Sequence, residues 1–186
     1  MKKIVYVFQK TPNESLKSLF KALHQDIKLI TLTKQLFKIT YHECVEDEPL
    51  DYEAIRSLIL TDFQEDLIIF ETYERSLSFL DEESLIHFIQ SLPYNTYDLM
   101  DLIKYMIKRN VTHLESIKKK LASILGQEMI DTLLALASHN MNISIAAKHL
   151  YLHRNTMHYR IDKVIEKTGI DVKTFQGLAI FYLLFG

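Results

Sequence analysis

The spacing of apolar residues divides the chain into a first part with both strand-like and helix-like patterns and a second part with helix-like patterns only. In the first part, short β-branched and aromatic runs typical of strands alternate with segments whose apolar residues recur every three to four positions, as in helices. The predicted strands are 3–8, 26–33, 36–42 and 67–73, and the predicted helices are 15–24 and 52–63. This β-α-β-β-α-β order is compatible with a small ferredoxin-like layer of two helices on four strands.

After Asp81 the pattern predicts helices only. The predicted helices are 82–92, 97–108, 113–125 and 127–138, and Gly126 is a natural stop for the third of them. The predicted fold class is therefore α+β, with a small N-terminal β-α-β-β-α-β layer followed by an all-helical C-terminal region with a helix-turn-helix. No internal repeat or low-complexity stretch interrupts the chain.

The stretch 142–167 has the pattern of two helices joined by a tight corner. Asn142 or Ser144 is suited to cap the first helix, because a short polar side chain accepts a hydrogen bond from a free backbone N–H group. On the second helix, one apolar stripe is predicted from the spacing i, i+4, i+7 and i+8 of Met157, Ile161, Val164 and Ile165. The opposite face carries Asn155, Tyr159, Lys163 and Glu166.

A polar, partly basic helix face of this kind fits the major groove of DNA, where side chains read base edges and cations bind phosphates. The second helix, about 154–166, is the predicted reader. The predicted DNA-binding residues are His153, Arg154, Asn155, Thr156, His158, Tyr159, Arg160 and Lys163. Four of them have a competing structural role: the Tyr159 ring is also suited to pack, Arg160 to pair with an acid such as Glu128 or Asp131, and Asn155 and Thr156 to cap the helix.

The run Leu152–Ile161, LHRNTMHYRI, resembles the C-terminal helix-turn-helix of PucR/CdaR-type transcriptional regulators, which typically reads hHRNThxYRh with h apolar. The resemblance covers roughly 127–185 and includes Asn142, Ser144, Ala147 and Leu150 upstream and 168–171 and 178–184 downstream. The same corner is similar, more distantly, to that of the bacterial Fis protein. The chain departs from the family at His158, where Arg is frequent, and at Asp162, and both changes weaken the expected phosphate affinity.

The resemblance implies a DNA-binding transcriptional regulator in the cytoplasm, and we expect a homodimer on a two-fold related site. The expected domains are a small α/β domain at 1–80, ferredoxin-like or degenerate cyclase-like, a helical connecting or dimerisation region at 81–126, and the PucR-type DNA-binding domain at 127–186. The partner surface is expected between 81 and 138. Most relatives also carry an N-terminal sensing domain, for which 186 residues leave little room.

Charge is segregated along the chain although the formal net charge is only −2. Residues 41–83 carry fourteen acids against two arginines, a net of −12, whereas 139–167 carry five cations against two acids, a net of +3. Because phosphate attraction acts over about 8–10 Å at ordinary salt, a modest basic patch is enough for DNA binding. The acidic stretch is interpreted as a solvated surface.

Other chemistry is weakly supported by the sequence. No apolar run approaches 18 residues, so no membrane span is expected, and the N-terminus lacks the features of a signal peptide. The single Cys44 excludes an internal disulfide and fits a reducing compartment. His149 and His153 straddle the corner, so neither a metal site nor any other cofactor is expected.

Three classes of function follow from these patterns. The first is the DNA-binding regulator, and the alternative is a degenerate family member that acts as a protein–protein interaction module without DNA binding. An enzyme is not expected, because no nucleophile, base and oxyanion donors are grouped and because no glycine precedes Gly126 to form a phosphate-binding loop. The sequence identifies neither an operator nor a small-molecule effector.

Overall fold

The computed structural model describes residues 2–23, 26–43, 49–109 and 113–186. The chain divides into two compact units: the first runs to Glu74 and includes Asp81–Asp101, and the second comprises Arg75–Leu80 and Leu102–Gly186. The predicted fold class is confirmed, since an N-terminal sheet is followed by a helical C-terminal region. Cys44, the predicted link at 46–49 and the predicted helix end at 24 lie wholly or partly outside the described residues.

The first unit is built on a five-stranded sheet. Its strands are β1 (Lys2–Gln9), β2 (Lys28–Thr31), β3 (Leu36–His42), β4 (Leu67–Tyr73) and β5 (Thr96–Tyr97). The strand order is β2-β3-β1-β4-β5, and every neighbouring pair is antiparallel except β4 with β5. The expectation of helices alone after Asp81 is wrong at β5, because a strand of two residues has no apolar period and exists only through its pairing with β4.

Each helix of the first unit starts at a short polar residue that binds a free backbone N–H group. The helices are α1 (Glu14–Ala22), α2 (Tyr52–Phe63) and α3 (Glu82–Ile89), and their caps are Asn13, Asp51 and Asp81. Alternate strand residues meet α1 and α2 in one apolar core, which includes Val5, Phe20, Phe37, Ile59 and Ile69. Both predicted helices of the layer are present: α2 has the predicted bounds, and α1 starts one residue before and ends two residues before its predicted bounds of 15–24.

The strand residues whose side chains lie on the other face of the sheet are also largely buried, and this face holds one polar network. The Tyr6 hydroxyl donates to Glu82 over 2.6 Å, and the Lys38 ammonium donates to the same Oε1 atom over 2.6 Å. The hydrogen bond from Lys38 is the main cause that holds the pKa of Glu82 below its ordinary value, and the hydrogen bond from Tyr6 adds to it. Burial, together with Glu82, raises the pKa of Tyr6.

The second unit is helical. Its helices are α4 (Leu99–Lys108), which starts in the first unit, α5 (His113–Leu125), α6 (Gln127–Ser138), α7 (Ile143–His149), α8 (Arg154–Thr168) and α9 (Phe175–Phe185). The helix α6 lies at the centre, because α5, α7, α8 and α9 all pack against it. Its buried residues are Ile130, Thr132, Leu133, Ala135 and Leu136.

One glycine of the second unit is required by a close approach. A Cβ atom at Gly177, in the first turn of α9, would lie 2.0 Å from the backbone oxygen of Asp171. Only glycine lets the chain before α9 pass this close to the helix.

No single helix among the described residues is long and apolar enough to cross a membrane. The helices Leu114–Leu125 and Gln127–Ser138 would be long and apolar enough only when taken together, and they are bent by 107° relative to each other.

Candidate nucleic-acid interface

The helices α7 and α8 form the corner that the apolar pattern predicts. Asn142 caps α7, since its Oδ1 atom accepts a hydrogen bond from the Ile145 N–H group over 3.1 Å. Ala146 and Ala147 are buried at 0% and 2% exposure, and their small side chains let a neighbouring helix approach α7 closely at these positions. The alternative cap, Ser144, lies one residue inside the helix.

The turn between the two helices is closed by two backbone hydrogen bonds. The Tyr151 N–H group donates to the Lys148 carbonyl over 3.1 Å, and the Leu152 N–H group donates to the Ala147 carbonyl over 2.8 Å. This is the Schellman arrangement, in which the residue after the cap takes the left-handed conformation and is usually glycine. Here the residue is Tyr151, with a φ of 55° and a side chain that is 97% exposed.

The helix α8 is held by a stripe of buried residues. Met157, Ile161 and Val164 have no exposed surface, whereas Ile165, the fourth predicted member of the stripe, is only half-buried. His153 caps the helix through its Nδ1 atom, which accepts from the Asn155 N–H group over 3.2 Å. The helix ends at Gly169, which has a φ of 73°.

The start of α8 is open to solvent. His153, Arg154, Asn155 and Thr156 are all exposed, and Tyr159 follows one turn later with 61% exposure. Because His153 makes the cap, the side chains of Asn155 and Thr156 are not needed for it. Arg154 makes no salt bridge or side-chain hydrogen bond with any residue that the structure describes. Its charge is therefore available to an anionic ligand.

Arg160 lies differently from the other predicted DNA-binding residues. Its side chain is 18% exposed and forms a salt bridge with Glu128 over 2.9 Å. A second nitrogen of the guanidinium donates to the Glu128 carbonyl and to the Thr132 hydroxyl, each over 3.3 Å. Of the two roles that the sequence left open, this geometry favours the structural one, in which Arg160 joins α8 to α6.

Lys163 is available in part. Its ammonium donates to Glu166 over 2.7 Å and lies 5.8 Å from the centre of the Tyr159 ring. The hydrogen bond to Glu166 raises the pKa of Lys163, so this side chain stays charged throughout the physiological range. The pair lies on the surface, where such salt bridges are weak and exchange readily with other partners.

The acid that departs from the family pattern is balanced by a cation. Asp162 accepts a hydrogen bond from Lys173 over 2.8 Å, and this bond, with a smaller contribution from His158, holds the pKa of Asp162 below its ordinary value. His158 itself is half-buried. The repulsion that Asp162 would exert on phosphate is therefore reduced by Lys173.

Further residues of the second unit support α8 but are not evident from the sequence. Arg75 donates to the Glu166 carbonyl over 2.9 Å, and the Ser76 hydroxyl donates to the Thr168 carbonyl over 3.0 Å. The last carbonyl groups of a helix lack partners within the helix, so these contacts satisfy the end of α8. They join residues more than 90 positions apart, and no local sequence pattern reports such a contact.

Within the described ranges, no three His, Cys, Asp or Glu side chains are grouped so that they could hold a metal ion. The rings of His139 and His149 lie 4.9 Å apart, and this pair is distinct from the pair His149 and His153 that the sequence suggests.

Residues 129–185 match the family model of the PucR C-terminal helix-turn-helix domain. The chain carries a PucR-type helix-turn-helix domain. The match extends from the third residue of α6 to the last residue of α9, so it includes all of α7, α8 and α9, whereas α5 lies before it.

Three relatives illustrate the range of similar proteins. The chain is 37% identical over 81 residues to the uncharacterized protein YxkF of Bacillus subtilis, and the aligned segment covers 38% of this chain and 27% of that protein. It is 26% identical over 121 residues to the proline-responsive transcriptional activator PutR of Bacillus subtilis, covering 61% of this chain and 29% of the relative. It is 36% identical over 52 residues to the carbohydrate diacid regulator of Escherichia coli, covering 28% of this chain and 14% of the relative.

The chain spans less than a third of the length of each of these relatives. The resemblance to PucR/CdaR-type regulators that rests on LHRNTMHYRI is confirmed by the domain match and by the names of two of the relatives.

Proposed function

We propose that this chain is a transcriptional regulator that binds duplex DNA through the exposed start of α8. The observation that carries the proposal is the contrast between the two faces of this helix. One face is fixed by Met157, Ile161 and Val164, and the other presents the polar run His153–Thr156 and Tyr159 to solvent. A helix of this kind enters the major groove with its first residues toward the bases.

The contacts of each side chain suggest its role. Arg154, without a described partner, binds a phosphate, and Lys163 leaves its surface pair with Glu166 to bind another. Asn155, Thr156 and Tyr159 are the candidates for base contacts, with His153 and His158 at the edges of the same surface. Arg160 acts through its contacts with α6, which hold α8 in the orientation that the groove requires.

The relatives support the same class of function. PutR is named a transcriptional activator, and the relative from Escherichia coli is named a carbohydrate diacid regulator. We therefore propose that the chain is a regulator that performs no enzymatic reaction. We expect it in the cytoplasm, where bacterial DNA lies, and as a homodimer, because a single helix-turn-helix makes few contacts and dimers bind two half-sites about 34–36 Å apart. A protein–protein interaction module remains the alternative.

The test is fluorescence anisotropy with a random DNA duplex, titrated from about 50 to 200 mM salt, for the wild type and for Arg154→Ala/Lys163→Ala. Each phosphate contact contributes about 0.9 to the slope of log K against log salt, so the double variant is expected to lose nearly two from that slope. The matched control is Lys10→Ala/Lys34→Ala, which removes two exposed lysines from the first unit and the same total charge.

A control that weakens binding as much as the double variant would show attraction by net charge and not by α8. Absence of binding by the wild type at about 50 mM salt would refute the proposed function and favour the interaction module.

Base reading is tested separately with Asn155→Ala. Because His153 caps α8, this change should leave stability nearly unaltered and relax discrimination at one base pair of a selected site by about 1–3 kcal/mol. An equal loss of affinity on every duplex would remove Asn155 from the base-reading residues.

A further inference from the structure

The helix α9 is apolar on both of its faces although only one of them is buried. Its sequence, FQGLAIFYLLF, contains no charged residue. Leu178, Ile180, Phe181 and Leu184 face the core of the second unit, with at most 4% exposure. Phe175, Tyr182 and Leu183 are 74%, 53% and 45% exposed. The helix therefore leaves large apolar side chains in water.

These three exposed residues and Ala179 form one stripe, which we call the α9 stripe: Phe175, Ala179, Tyr182 and Leu183. At about 100° per residue they fall within roughly 100° of the helix circumference, and Phe175 and Tyr182 lie almost in line, about 10 Å apart along the axis. Half-buried Ala179 lies between the aromatic rings. A small residue between two large ones lets another helix approach at that point.

We infer that the α9 stripe binds the same stripe of a second copy of this chain, with the two helices antiparallel. The stripe is nearly symmetric about Ala179, since an aromatic residue lies four positions before it and Tyr182 and Leu183 lie three and four positions after it. A two-fold axis at Ala179 brings Phe175 level with Leu183 of the partner subunit and within about 1.5 Å along the helix axis of the partner subunit's Tyr182, and the reverse contacts follow by symmetry.

Charge favours a copy of the chain as the occupant. Residues near a two-fold axis face their own equivalents, so any charge there would meet a like charge, and the α9 stripe has none. The Lys118 ammonium lies 5.7 Å from the centre of the half-buried Phe185 ring, at the C-terminal end of α9 and outside the stripe.

The exposed aromatic side chains alone supply a substantial share of the area that a dimer interface needs. An aromatic side chain offers about 150–250 Å², so two copies of Phe175 and Tyr182 alone would remove roughly 400–600 Å² from water. This is about a third of a standard interface of about 1,600 Å², before Leu183 is counted.

The region that the sequence suggests for the partner surface offers less. Between 81 and 138 the described residues expose two large apolar side chains, Tyr94 and Ile107, at 38% and 37%. They lie in different units and form no stripe.

The inference rests on the proposed function in one respect, namely that a dimer is what a two-fold DNA site requires. The dimer itself is tested without DNA. The wild type is expected to sediment as a dimer at about 10 μM, and Phe175→Lys/Tyr182→Lys is expected to weaken dimerisation at least a hundredfold with an unchanged far-UV circular dichroism spectrum. Leu58→Lys, at a residue of α2 that is as exposed as Tyr182, should leave the dimer intact.

A cross-link tests the position of the axis. Cys44→Ser removes the native thiol, and Ala179→Cys in this background is expected to form a disulfide-linked dimer on mild oxidation, because the two Cα atoms at the axis come within the 4.4–6.8 Å that a disulfide spans. Gln176→Cys is the control, since its two copies would be separated by about 9 Å along the antiparallel axes and should not cross-link.

A monomeric wild type, or cross-linking at position 176 as efficient as at 179, would overturn the inference. A dimer that binds no DNA would refute the proposed function alone, and a monomer that binds DNA would refute the dimer surface alone.

Discussion

Replacing Arg160 with alanine is expected to lower the free energy of unfolding by about 2 kcal/mol and to leave the salt dependence of DNA binding unchanged. The buried stem of the side chain contributes about 1 kcal/mol, since it is only 18% exposed. The two hydrogen bonds of 3.3 Å to the Glu128 carbonyl and the Thr132 hydroxyl are long and contribute about 0.5 kcal/mol each. The salt bridge adds little, because the Glu128 side chain is 82% exposed.

The assay is a double-mutant cycle with Arg160→Ala and Glu128→Ala, measured by urea unfolding at 222 nm, where the helical second unit dominates the signal. The expected coupling energy is about 0.5 kcal/mol, whereas Glu128→Ala alone should cost less than about 1 kcal/mol, because its carboxylate is mostly solvated. Arg160→Lys should recover little of the lost stability, because an ammonium cannot reach three acceptors as the planar guanidinium does.

DNA binding by the same variants completes the test. If Arg160 bound a phosphate, Arg160→Ala would reduce the slope of log K against log salt by about one, as is expected for Arg154→Ala. Such a reduction with an unchanged urea midpoint would refute the anchoring role and return Arg160 to the DNA-binding surface.

Three further predictions concern stability. Gly177→Ala should cost about 2–3 kcal/mol in urea unfolding, because its Cβ atom would lie 2.0 Å from the Asp171 carbonyl oxygen, and a normal midpoint would contradict this packing. The folded pKa of Glu82 lies below its unfolded value of about 4.5, mainly because of the hydrogen bond from Lys38. The ionised Glu82 therefore stabilises the folded state above pH 4.5, and this stabilisation is lost as the pH falls through the folded pKa. In urea unfolding at a series of pH values, Glu82→Gln should reduce the pH dependence of stability in this acidic range only. Tyr151→Gly should raise stability by about 0.5–1 kcal/mol, because φ is 55° at a residue that is 97% exposed, and an unchanged or lower melting temperature would contradict the strain.

The local elements of this protein were determined by the sequence. The apolar stripe of α8 and the stop at Gly126 are contained in a few consecutive residues, and the cap of α7 was restricted in the same way to Asn142 or Ser144, because helical period and helix ends are properties of short segments. The β-α-β-β-α-β order from β1 to β4 followed in the same way. The run LHRNTMHYRI was long enough to indicate the PucR-type domain, which the family match then confirmed.

Contacts between distant segments were decided only by the tertiary structure. Arg160 and Thr132 are 28 positions apart and Ser76 and Thr168 are 92 apart, so the local pattern left the role of Arg160 open and did not predict that of Ser76. The strand β5 depends on pairing with β4 for the same reason. The helix α9 is the clearest case, because apart from Gln176 it is almost entirely apolar in sequence and only its packing against α6 shows which side chains remain exposed. A helical period identifies the buried face only where polar residues mark the opposite face, and α9 has no charged residue to mark one.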